Sequence, residues 1–379
     1  MLIQSTRVWI ADQFSAAQIE VDGLKIKAIY PYNNKKVDVD YGDQRIIPGM
    51  IDVHCHGAYG FDTNDGEESG LGLWASKLPQ EGITAFLPTT VTQGEDVLKN
   101  ALKNVAHYMS KTEKGAQVLG ANFEGPYLNT KFKGAQPEQF IAAPTVKQFK
   151  EYQNAADGNI KIITLATEED PDHELTRFAS EQGTVVSMGH SGATYDEALM
   201  AVANGARSMT HVFNGMTGFH HREPGLVGAA MRFRDVYGEI ITDGNHVRWA
   251  AINNFVMDKG PNYAVMITDS LRCKGSPQGV YDLGGQSVEV RANGSAYLVG
   301  TTTLAGSTLK FNEGLKNLIE YAQIPVNYAI NMVTANPARL IRVDDYKGKL
   351  VAGFDADIVV LDNDYKVVQT YCLGKAQLK

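Results

Sequence analysis

The chain is expected to fold as an α/β protein, a (β/α)8 TIM barrel joined to a small β-sandwich domain built from both chain termini. Three observations predict this. From residue 48 to about 342, apolar runs of strand length alternate with segments of helical periodicity, the pattern of βα units on a parallel sheet. The strand candidates are 51–54, 84–90, 118–124, 161–166, 184–190, 208–213, 237–242 and 264–269, and eight is the number that closes such a barrel. Both ends of the chain instead read as short alternating strands separated by turns.

At the N-terminal end, strands are expected at 2–10, 17–21 and 24–30, with Asp22-Gly23 turning the last pair as a hairpin. This piece is too small to hold a core alone. The other end offers partners at 348–361 and 367–373, interrupted by Ala352-Gly353 and by Asp362-Asn363-Asp364. Residues 1–47 with 343–379 therefore read as one small domain, and 48–342 as a catalytic barrel inserted into it. Helical periodicity covers 95–108, 172–182 and 195–204, the last two ending near Gly183 and Gly205. Helices at 308–322 and 325–334 complete the insert.

Composition narrows the class of function. With 44% hydrophobic and 21% charged residues the chain is of ordinary globular make-up, and a net charge of −8 argues against nucleic acid or an anionic membrane as its main partner. No apolar run of about 18 residues could span a bilayer. Gln4, Arg7 and Asp12 interrupt the first apolar stretch, so no secretory signal is read there. Cys55, Cys273 and Cys372 are far apart and odd in number, which speaks against a disulfide framework. A cytoplasmic location fits these features.

The richest stretch is Pro48 to Gly57, where a short apolar run delivers His54 and His56 two positions apart. On a strand, alternate side chains share a face, so both imidazoles point one way while Cys55 points the other. Such a pair is either a hydrogen-bonded strand end or half of a metal site. Other candidate ligands fall at the ends of the other strand-like runs: Glu124, His190, His211 and Asp269. In a barrel of this kind the C-terminal strand ends form one rim, so all of these groups would meet there. Imidazoles with carboxylates suit zinc or iron better than calcium. An ion at the rim would activate water and polarise a carbonyl, and Asp269 could carry the proton from that water to a leaving amine.

Several stretches carry a resemblance: 48–57, 123–129 (Phe-Glu-Gly-Pro-Tyr-Leu-Asn), 189–193 (Gly-His-Ser-Gly-Ala), 210–216 (Thr-His-Val-Phe-Asn-Gly-Met), 222–225 (Arg-Glu-Pro-Gly), 243–247 (Asp-Gly-Asn-His-Val), Thr268-Asp269 and 303–307. On these the chain resembles the amidohydrolase superfamily and, within it, the N-acetylglucosamine-6-phosphate deacetylase family, along nearly its whole length. The resemblance implies a hydrolase of linear amides that removes the acetyl group of an N-acetyl-hexosamine-6-phosphate. It makes Glu124, His190 and His211 ligands of one divalent metal, His54 and His56 ligands of a second bridged by Glu124, and Asp269 the catalytic acid/base. It also implies that substrate phosphate is held by backbone N–H groups at Asn214 and Gly215, by His246, and by Arg222 from the neighbouring subunit of a homodimer.

Departures from that family's pattern stand at three places. Asn122 replaces a His two residues before Glu124, and a local packing change is expected. Gln136 replaces a His that contacts the sugar, so it is a substrate-binding candidate unable to become cationic. Ser270 to Gly275 replaces a small Ala- and Pro-rich loop, and its Arg272 and Lys274 either bind an anion or point outward. N-acetylgalactosamine-6-phosphate or another acylated amino-sugar phosphate is therefore an alternative substrate. A metal-free binding protein on the same scaffold is the alternative from another class.

Overall fold

The computed structural model describes residues 1–111 and 114–378. Its centre is built from parallel strands in two arcs. The first holds Met50–Cys55, Ile83–Pro88 and Gln117–Val118. The second runs in chain order through Ala121–Glu124, Ile160–Leu165, Val185–Met188, Ser208–Met209, Tyr237–Ile241 and Ala264–Ile267. Parallel bridges from Thr89 to Asn122 and from Cys55 to Ser270 link the arcs at both seams. Sequential parallel strands need crossovers, and helices such as Glu95–Met109, Val146–Ala155, Glu174–Glu181, Tyr195–Ala203 and Trp249–Lys259 supply them.

Burial follows from the strand composition. Ile51, Val53, Ala85, Leu87, Ile162, Val185, Ile241, Val265 and Ile267 pack together with Ala338, Leu340, Ile341 and Val343, so Ala335–Leu340 closes one end of this cluster. A larger apolar cluster, including Trp74, Phe86, Phe123, Phe149, Phe255 and Phe311, fills the layer between strands and helices. Strands enclosed in this way read as nearly continuous apolar runs, which is why they are visible in sequence.

The two ends of the chain share one eight-stranded sheet. Arg45–Pro48 is its seam, parallel to Leu2–Ile10 on one side and antiparallel to Ile358–Leu361 on the other. Ile3, Val8, Ile19, Ile26, Ile46, Ile358 and Val360 form its own buried cluster.

The differences from sequence expectation have local causes. The strand expected at 118–124 breaks at Gly120, whose φ is +143° and where a Cβ would meet Asn159 O at 2.6 Å. The strand expected at 208–213 stops at Met209 because His211 and Phe213 turn to φ +27° and +82°. The run expected at 348–361 is strand only over Ile358–Leu361, since the preceding residues loop so that Asp355 and Asp357 reach Lys347 at 2.8 and 2.6 Å. The helix expected to end at 334 stops at Val333, and Ala335–Leu340 follows as a separate helix. Sequence reading missed a three-stranded antiparallel sheet, Gly279–Leu283, Gln286–Val290 and Ala296–Leu298, that packs over Val91, Leu271 and Ala305. No helix among the described residues is long and apolar enough to cross a membrane.

Candidate active site

At the C-terminal strand ends the four imidazoles singled out in sequence converge on the carboxylate of Glu124. Its Oε1 lies 3.5 Å from His54 Nε2, 3.4 Å from His190 Nε2 and 3.2 Å from His211 Nε2. Its Oε2 lies 3.2 Å from His56 Nε2. Asp269 Oδ1 stands on the far side, 3.0 Å from His56 Nε2 and 3.5 Å from His54 Nε2. His190, His211 and Asp269 adopt positive φ, a conformation that costs energy in non-glycine residues and recurs where a side chain must be aimed.

Each imidazole is fixed through its other nitrogen. Nδ1–H of His190 donates to Phe132 O at 2.9 Å, that of His211 to Asn214 O at 3.2 Å, and that of His56 to Thr89 O at 3.3 Å. His54 Nδ1–H donates instead to the carboxylate of Glu239 at 2.9 Å. With Nδ1 committed as donor, every Nε2 faces Glu124, where it either carries a proton or is free to bind a cation.

Charge and burial explain the acid-base state of the cluster. Burial disfavours a charged His54, yet the carboxylates of Glu124 and Glu239 outweigh it and hold its pKa well above the ordinary value. At His56, burial is overcome by hydrogen bonds to Asp269 and Glu124, which push it up to about 9. Glu124 and Asp269 are shifted the other way. Burial opposes their ionisation, but the charges of His54 and His190 prevail at Glu124, and the His56 hydrogen bond with the His54 charge prevails at Asp269. The pocket thus demands positive charge beside two carboxylates, which protons or a divalent cation can supply.

The residues fit such a cation. His54, His56 and Asp269 form one group of potential ligand atoms and Glu124, His190 and His211 another, the atoms of each lying within 4.8 Å of one another. His54 Nε2 is buried without a hydrogen-bond partner, an orphan that a metal bond would satisfy. All six residues are buried, so ligand geometry is held by the core.

A cleft of about 320 Å³ opens over this cluster and is also lined by Gln136, Asn214, Gly215, His246, Leu283 and Leu304. His246 Nδ1–H donates to Asp243 at 2.8 Å. The amide of Gln136 is engaged, donating to Glu124 Oε2 at 2.7 Å while its oxygen accepts from Thr92 N–H at 2.8 Å. Asn214 N–H, expected to hold phosphate, donates to His211 O at 3.0 Å. Arg222 lies outside the cleft of its own chain, exposed on a loop where Nη1 is 2.7 Å from His221 Nε2.

One sequence reading resolves differently from either option offered. Lys274 is fully buried against Glu81 at 3.1 Å, and Arg272 pairs with Asp65 at 2.8 Å, so both cations are spent on acids of their own chain. Asn122, where a local packing change is expected from sequence, is buried and donates to Val53 O at 3.0 Å, tying two parallel strands together. Sequence reading also missed Glu239 and Asp52. Asp52 accepts from Thr268 Oγ1 at 2.6 Å and from His54 N–H at 3.3 Å, which secures the strand end that carries His54. The available signal was a lone carboxylate inside an apolar strand, a costly placement without a partner.

A model of the amidohydrolase family matches residues 45–376. The chain belongs to the amidohydrolase family. This amidohydrolase is 42% identical to N-acetylglucosamine-6-phosphate deacetylase of Bacillus subtilis, over 88% of the chain and 84% of that relative. It is 33% identical to N-acetylgalactosamine-6-phosphate deacetylase of Escherichia coli O157:H7, over 97% of the chain and 95% of the relative. Among solved structures it matches a mutant of N-acetyl-D-glucosamine-6-phosphate deacetylase from Mycobacterium smegmatis in complex with N-acetyl-D-glucosamine-6-phosphate. That match has a TM-score of 0.95 at 27% identity and covers 100% of the chain and 99% of its counterpart.

Proposed function

We propose that this amidohydrolase removes the acetyl group of N-acetylglucosamine-6-phosphate, giving glucosamine-6-phosphate and acetate. The observation that carries the reading is the centring of four buried imidazoles on Glu124, with Asp269 at the edge of a cleft that also holds His246. Divalent ions held by Glu124, His190 and His211, and by His54, His56 and Asp269 with Glu124 between them, would polarise the acetyl carbonyl and lower the pKa of water. Zinc and iron are the ions this donor set suits. Asp269, ionised at neutral pH, accepts a proton as water adds to the carbonyl carbon. It returns that proton to nitrogen as the C–N bond breaks, so the amine leaves neutral.

His246 is read as the phosphate contact of the same subunit, with Gly215 beside it and Arg222 supplied by the partner of a homodimer. A guanidinium suits this because it binds phosphate oxygens in a bidentate fork. Gln136 steadies Glu124 and borders the acetamido end of the cleft. The two parallel arcs are read as one (β/α)8 barrel over residues 48–342, and the terminal sheet as a small sandwich domain of 1–47 and 343–379. A cytoplasmic location accords with a phosphorylated sugar as substrate. The 4-epimer, N-acetylgalactosamine-6-phosphate, is the second reading, favoured by Gln136 at the cleft wall.

Metal removal tests the proposal. Acetate release from N-acetylglucosamine-6-phosphate is expected to vanish on chelation and to return with zinc or iron(II), faster than release from the 4-epimer. A preference for the 4-epimer would establish the second reading. No acetate from either sugar, with ions measured in the protein, would contradict both.

A further inference from the structure

Among the four imidazoles, His54 is the one whose Nδ1–H is anchored by a carboxylate; the other three donate to backbone carbonyls. Glu239 reaches it from the Tyr237–Ile241 strand and is fully buried. Its Oε2 also accepts from the backbone N–H of His211 at 3.3 Å, while Oε1 is buried with no hydrogen-bond partner. Among the described residues its one ion-pair partner is His54.

A fully buried carboxylate with one unsatisfied oxygen is costly unless positive charge stands close by. An imidazole that binds a cation through Nε2 carries that charge to the carboxylate, and in turn the carboxylate makes the imidazole a stronger ligand and fixes its tautomer. We infer that Glu239 is the positioning residue that makes the His54, His56 and Asp269 group a metal site, so that occupancy by the second ion depends on Glu239. The inference rests on the two-ion reading above. Its effect falls on this ion because Glu239 touches the ring of His54 but only the backbone of His211.

Cobalt(II) titration of the metal-free protein, followed by visible absorption and by metal analysis after gel filtration, tests this directly. Wild type is expected to take up two equivalents. Glu239→Gln keeps the shape and one acceptor oxygen but removes the charge. It is expected to bind one equivalent as wild type does and the other about ten- to a hundredfold more weakly. In a His56→Gln background, adding Glu239→Gln is expected to leave the remaining equivalent unchanged. Two equivalents at wild-type affinity in Glu239→Gln would overturn the inference alone, as would weakening of both ions together or weakening in the His56→Gln background. Uptake of a single equivalent by wild type would overturn the two-ion reading and this inference with it.

Discussion

Glu124 offers four imidazole nitrogens and the Gln136 amide a single carboxylate, and every ring around it is pinned from behind. His246 stands apart from that cluster and gives the clearest residue-scale expectation. Burial disfavours its charged form, but the hydrogen bond to Asp243 prevails and raises its pKa. Asp243 is lowered in return, since His246 outweighs its burial. A raised pKa keeps the imidazolium to higher pH, so phosphate affinity should persist to higher pH than an ordinary histidine would allow and fall as pH rises past that pKa. KM for the phosphorylated sugar should therefore climb by about ten- to a hundredfold across this range, the worth of a charge-assisted hydrogen bond. His246→Gln should remove the pH dependence, and a wild-type KM indifferent to pH would remove His246 from the phosphate site. His54, His56, Glu124, His190, His211 and Asp269 were legible as candidate ligands because each lies at or just beyond the end of an apolar, strand-like run. Glu239 was not, because a single acid in an apolar run gives no sign of which ring it will meet.

At the scale of elements, the loop after the Ala264–Ile267 strand shows how charge in sequence can mislead. Arg272 and Lys274 read as free cations near the site, yet Lys274 is wholly buried and locks the loop to Glu81, which also accepts from Tyr59 Oη at 2.5 Å and Phe311 N–H at 3.0 Å. Lys274→Met should leave Glu81 as an uncompensated buried charge and cost about 3–5 kcal/mol. Lys274→Met with Glu81→Gln should recover most of that loss. Thermal midpoints of the single and double variants measure this, and equal midpoints for wild type and Lys274→Met would refute the role. Strand and helix order were legible from periodicity, whereas strand ends were set by backbone turns such as His211 and Gly120 that periodicity does not encode. The Gly279–Leu298 sheet escaped notice because its strands are half exposed and polar in alternation, without a continuous apolar run.

At the scale of the whole molecule, the pairing of both chain ends was legible from two sets of alternating strands, and the structure joins them at Arg45–Pro48. What no single chain displays is the use of Arg222, which sits exposed beside His221. If it completes the phosphate site of a partner subunit, two defective variants should rescue each other. Asp269→Asn should lower kcat by about 10²- to 10⁴-fold, and Arg222→Ala should raise KM. Mixed and re-associated, they should regain about a quarter of wild-type activity, because half of the dimers are mixed and each holds one intact site. No recovery from a mixture shown to exchange subunits would place Arg222 outside the site.

The measurement that bears most directly on the central claim is kcat/KM for acetate release by the ion-loaded protein, with N-acetylglucosamine-6-phosphate compared against N-acetylglucosamine. A site built around buried donors for phosphate should reject the sugar that lacks it by on the order of a thousandfold or more. Equal turnover of the two sugars would contradict the account: Glu124 and its imidazoles would remain a hydrolytic centre, but not one organised for a sugar phosphate.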